Sequence, residues 1–116
     1  MKIIRIVILS IMLSVFAMSA FAAGNGNAAP LVIDVRTEAE WNEGHLEGAV
    51  LMPYDRIEQG IATVAPDKNT KIYLYCRSGR RSGIAEDVLK KAGYQDLINL
   101  GTVKNASEKM QMPIVK

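Results

Sequence analysis

Residues 75–83 read YCRSGRRSG, which sets Cys76 beside Arg77, Arg80 and Arg81 with Ser78, Gly79, Ser82 and Gly83 around them. Cys76 is the only cysteine of the chain. A thiol acts as a nucleophile only as the thiolate, and nearby guanidinium groups lower its pKa. Those guanidinium groups are also planar donors suited to an oxyanion, so Arg77, Arg80 and Arg81 are expected to hold an anionic substrate. Gly79 lets the backbone turn so that its N–H groups converge, and Ser78 and Ser82 add hydroxyls. A lone cysteine cannot form an internal disulfide. It is a reactive thiol, an intermolecular link or a buried structural residue, and the clustered arginines favour the first.

The elements that must position this loop follow from periodicity. Leu31–Val35, LVIDV, is a short apolar run expected as a buried strand. Thr37 and Glu40 have capping-box spacing, predicting a short helix through about Glu43 that Gly44 ends. Ala49–Met52 predicts a second strand. Asp55 and Glu58 repeat the capping spacing before Ile57, Ile61, Val64 and Ala65, which share one helical face, so a helix is expected from Asp55 to about Val64. Pro66–Asn69 is a turn, and Lys71–Tyr75, KIYLY, a central strand. Beyond Cys76, a helix starting near Ser82 carries Ile84, Ala85, Val88, Leu89 and Ala92 on one face, with Lys90 and Lys91 at its cation-favouring end and Gly93 as the stop. Asp96–Leu100 is one more strand, and the residues from Gly101 onward are too polar and irregular to assign.

Strands alternating with helices predict an α/β fold, a central parallel sheet with helices on both faces. Ligands of such sheets bind beyond the carboxyl ends of the strands. Cys76 stands there, before a helix N-terminus whose unpaired N–H groups favour an anion.

The first residues are set aside as a targeting segment. Lys2 and Arg5 precede an apolar stretch from Ile6 to about Ala17, and Ala20-Phe21-Ala22 fits a signal-peptidase site. Cleavage after Ala22 is expected. An uncleaved anchor is the competing reading, since Ile6–Ala23 approaches the ~20 residues of a spanning helix, but Ser10, Ser14, Ser19 and the Ala-x-Ala site oppose it. The expected organisation is a cleavable signal at 1–22, a flexible leader at 23–30 and one small domain at 31–116, exported to the periplasm. The full chain has 14 basic and 12 acidic residues; without Lys2 and Arg5 the two signs balance, so nothing global favours nucleic acid. No membrane association is expected after cleavage.

Loop length separates two cysteine chemistries. Phosphotyrosine-type phosphatases and related arsenate reductases place an arginine six positions after the cysteine, where this chain has Ser82; its arginine comes one residue earlier, at Arg81. The shorter loop, CRSGRRS, resembles the active loop of the rhodanese sulfurtransferases. The upstream family pattern is present as well: Asp34-Val35-Arg36, Glu40-Trp41, Gly44-His45-Leu46, Gly48-Ala49 and Pro53. The likeness covers Leu31 to about Gly101, and the length, signal and single domain are similar to the small free-standing periplasmic form. It implies a single rhodanese-like domain that moves sulfane sulfur from thiosulfate to cyanide or a thiol through a persulfide on Cys76, with Arg77–Ser82 binding the donor. No cofactor or metal is implied, and a monomer is expected. A persulfide carrier that hands sulfur to a protein partner is the alternative.

The remaining motifs have ordinary roles. His45 is expected to hydrogen-bond to backbone in a turn, Asp34, Arg36 and Glu40 to form a structural charge cluster, and Trp41 and the tyrosines to pack. One His and one Cys cannot close a metal site. Where the family often has Gly-Gly after its last strand, this chain has Gly101-Thr102. A β-branched residue resists positive φ, so the pocket rim is expected to differ at Thr102.

Overall fold

A computed structural model describes residues 29–116; the expected signal and most of the leader lie outside the described residues. The elements in chain order are β1 (Leu31–Asp34), α1 (Glu38–Glu43), β2 (His45–Leu46), β3 (Val50–Leu51), α2 (Ile57–Val64), β4 (Lys71–Cys76), α3 (Arg80–Lys91), β5 (Asp96–Thr102), α4 (Val103–Met110) and β6 (Ile114–Val115). Four strands form a parallel sheet in the order β3-β1-β4-β5, which makes β4 an interior strand.

Alternation along the strands divides the core in two. Ile33, Val35, Ile72, Leu74 and Cys76 pack under α2 and α3, where they meet Ile57, Ile61, Ala85 and Leu89. Val32, Tyr75 and Leu100 face the other way onto Ala106 of α4 and Leu46. Helices therefore cover both faces, and burial of each large aliphatic side chain contributes about 1.5–3 kcal/mol. The β4–β5 register slips by one residue between Leu74↔Asn99 and Tyr75↔Gly101, leaving Leu100 as the extra residue. That bulge carries the last residues of β5 alongside the loop that follows Cys76.

The capping box forms as expected: the Glu40 N–H donates to Thr37 Oγ1 at 3.2 Å and the Thr37 N–H to Glu40 Oε1 at 3.2 Å. The second one does not. The Arg56 N–H donates to the Pro53 carbonyl at 2.9 Å, so Asp55 is spent in a turn and α2 begins at Ile57 without a side-chain cap. The apolar faces are also narrower than predicted, with Val64 and Ile84 exposed. The unassigned C-terminal stretch supplies α4 and β6, and β6 pairs antiparallel with β2 as a separate two-stranded sheet, His45 opposite Val115.

Candidate active site

Cys76 ends β4, and only Arg77, Ser78 and Gly79 separate it from α3. The helix begins at Arg80 rather than near Ser82. Gly79, at φ +94°, takes a left-handed conformation that turns the chain directly into the first turn, and a Cβ there would lie 3.4 Å from Gly101 Cα. The turn aims backbone at the sulfur. The Gly79 N–H donates to Cys76 Sγ at 2.9 Å, and the Ser82 hydroxyl lies 3.6 Å from it.

Cys76 is fully buried. Burial pushes its thiol pKa up, but the Ser82 hydroxyl and the N–H groups of Ser82, Ser78 and Gly79 outweigh that, and the net direction is down. The guanidinium of Arg81 adds a favourable field. The lowered pKa therefore comes chiefly from a cradle of loop donors at a helix N-terminus.

The six other loop residues divide by position. Arg77, Ser78 and Arg80 are exposed and, with Arg81, line a cavity of about 740 Å³ that reaches across to Tyr54 and Asp55. Among the described residues neither Arg77 nor Arg80 has a carboxylate partner. Arg81 does: its Nη1 and Nη2 donate to the two oxygens of Glu40 at 2.7 and 2.8 Å. That bidentate bond holds the Glu40 carboxyl down to about 2. Gly79 is the pivot under the sulfur, and Ser82, completely buried, faces Cys76 and Asn99 rather than the cavity.

The expected charge cluster splits accordingly. Arg36 is bound bidentately by Asp34, at 2.9 and 2.7 Å, and also donates to the Gly44 carbonyl, whereas Glu40 belongs to Arg81. His45 does as predicted: Nδ1 bonds the Trp41 carbonyl at 2.9 Å and the ring stacks on Trp41. Thr102 does not disturb the rim through positive φ. It sits at φ −83° and caps α4 by accepting from the Asn105 N–H, while Gly101 alone takes the left-handed conformation at φ +82°. Asn99 escaped the sequence reading; its one signal was a polar side chain inside the run DLINL.

The rhodanese-like domain profile matches residues 18–102. The chain is 36% identical to the thiosulfate sulfurtransferase PspE of Escherichia coli over 88% of each chain. It is 35% identical to the putative sulfur carrier protein YrkF of Bacillus subtilis, across 60% of this chain and 36% of that one. Among solved structures, a rhodanese with anions from E. coli superposes with a TM-score of 0.69 at 38% identity, covering 76% of this chain and 99% of that one.

Proposed function

This chain belongs to the rhodanese-like family of sulfurtransferases, and from that premise we propose that it is a thiosulfate sulfurtransferase carrying sulfane sulfur as a persulfide on Cys76. The observation that carries the reading is the Gly79 N–H aimed at Cys76 Sγ from 2.9 Å, at the start of α3. The Cys76 thiolate attacks the outer sulfur of thiosulfate, a new S–S bond forms, and the old one breaks with its electron pair leaving on sulfite. Cyanide or an acceptor thiolate then attacks the outer sulfur of the persulfide, and the pair returns to Cys76 as thiolate. No net redox change occurs, and no general base takes part, because the nucleophile is the thiolate, which the loop donors favour, and sulfite leaves readily.

The loop N–H groups that favour a thiolate serve equally for the persulfide anion. Arg77 and Arg80, which line the cavity without a carboxylate partner among the described residues, draw the anionic donor into it. Against phosphatase chemistry stands the loop length, since Ser82 occupies the position six after Cys76 and the arginine before it, Arg81, is engaged by Glu40. We further propose that the signal is cleaved after Ala22 and that residues 23–116 act in the periplasm as a monomer. Mass spectrometry of the exported chain and sedimentation test those points; an intact N-terminus or a dimer would remove them.

Turnover of thiosulfate with cyanide is the decisive experiment, together with mass spectrometry for an adduct of about 32 Da on Cys76, one sulfur atom. Cys76→Ser should abolish both. Retained turnover in that variant would sink the mechanism. The likeness to a putative sulfur carrier favours a second reading, a persulfide donor to a protein partner. Loading of Cys76 without multiple turnovers would select it.

A further inference from the structure

Asn99 lies on β5, exposed, with its amide turned to the start of α3. Its Oδ1 accepts from the Ser82 hydroxyl at 2.7 Å and from the Gly101 N–H at 2.9 Å, and its Nδ2 donates to the Gly79 carbonyl at 3.1 Å. Because the Gly101 N–H can only donate and the Gly79 carbonyl can only accept, the two backbone groups fix which end of the amide is oxygen. Asn99 is thereby clamped in one orientation.

Ser82 has one proton and three acceptors within reach: Asn99 Oδ1 at 2.7 Å, the Gly79 carbonyl at 3.1 Å and Cys76 Sγ at 3.6 Å. The bond to Asn99 keeps the hydroxyl oxygen beside the sulfur, with its proton within one rotation of Sγ. Through Nδ2, Asn99 also holds the Gly79 carbonyl, one peptide beyond the Ser78–Gly79 peptide whose N–H is the direct bond to Sγ, and so restrains the turn at Gly79 that aims that N–H. We infer that Asn99 is a positioning residue for the Cys76 nucleophile, acting through Ser82 and Gly79. The inference rests on the reading of Cys76 as the sulfur carrier, and it concerns a side chain that touches neither the sulfur nor the cavity.

The test follows Cys76 of the full chain by its alkylation with iodoacetamide against pH. The midpoint reports ionisation of the thiol and the plateau its access. Arg81 is the charged group whose field favours ionisation here, and neither Asn99 nor Ser82 titrates. In Asn99→Ala the midpoint should rise by roughly half a unit to one unit, and first-turnover sulfite release below that midpoint should fall roughly three- to tenfold with half-saturating thiosulfate unchanged. Asn99→Asp keeps the acceptor for Ser82 and Gly101, but it cannot donate to Gly79 and adds a negative charge, so its midpoint should rise as well. In a Ser82→Ala background the effect of Asn99→Ala should shrink.

Wild-type midpoints in both Asn99 variants, with thermal melting showing that they fold, would overturn the inference. So would a lowered melting temperature with an unmoved midpoint, or a shift of undiminished size in the Ser82→Ala background. Alkylation needs no thiosulfate. A wild-type chain that releases no sulfite would therefore defeat the functional reading while the test of Asn99 still stands.

Discussion

Arg81, in the first turn of α3, and Glu40, on α1, hold each other through two parallel hydrogen bonds of 2.7 and 2.8 Å. The same carboxylate closes the capping box with Thr37, so one side chain starts α1 and ties it to the helix behind Cys76. In the unfolded chain this carboxyl titrates near 4.5 and in the folded chain at about 2. Its folded pKa is depressed, so its stabilising contribution is complete above 4.5 and is lost as the pH falls toward 2. With solvent screening, the pair contributes on the order of 1 kcal/mol. Glu40→Gln should lower the urea midpoint at pH 6 and flatten the acid dependence between 4.5 and 2. Equal acid slopes in the two proteins would remove Glu40 as the source.

Gly79→Ala should damage both the fold and the nucleophile. An L-residue at φ +94° is strained, by about 1–2 kcal/mol, while the new methyl would meet Gly101 Cα at 3.4 Å, close to an ordinary contact. Any relief of that strain turns the Gly79 N–H away from Sγ, and the thiol pKa then rises. Urea unfolding and the alkylation midpoint measure the two effects separately. A stable variant with an unshifted midpoint would mean that the Gly79 N–H does not matter to the thiolate.

The sheet was legible because LVID and KIYLY carry their own pattern, apolar and β-branched, flanked by turn residues. Thr37 and Glu40 announced α1 for a similar reason, since a capping box is a local device. The loop was legible as chemistry for CRSGRRS, but its internal division was not. Whether an arginine faces an anion or a carboxylate depends on Glu40, 41 positions away from Arg81, which spacing along the chain cannot show. The β2–β6 pair was hidden in the same way, because two-residue strands have no periodicity and are defined only by each other. The false cap at Asp55 shows the opposite error: the right spacing is present, but Pro53 has already committed that residue to a turn. Thr102 looks like a misfit in the sequence because it stands where the family often has a second glycine, a place that a positive φ would deny to a β-branched residue. Gly101 bears the positive φ alone.

Thr102→Ala should destabilise the domain by about 1 kcal/mol and Thr102→Gly by only a few tenths, the ordinary ranking at an N-cap. Thermal melting of the two variants checks this. The reverse order, with glycine the more damaging, would show that the Thr102 side chain acts by packing rather than by its bond to the Asn105 N–H.

Arg77 and Arg80 are the cavity arginines whose guanidinium groups are not already taken up, Arg36 being held by Asp34 and Arg81 by Glu40. Exposed charges contribute little to stability, so Arg77→Ala and Arg80→Ala should leave the urea midpoint nearly unchanged. Their effect belongs to capture of the donor. Each substitution removes a charge-assisted contact in a solvated site and should raise the KM for thiosulfate roughly three- to tenfold, with kcat nearly constant. Salt screens such contacts, so the penalty should narrow as ionic strength rises toward 1 M, where the screening length is about 3 Å. Arg81→Ala should behave differently, losing stability through Glu40 first. A KM that moves for Arg81→Ala and stays fixed for both Arg77→Ala and Arg80→Ala would reverse this division of the loop.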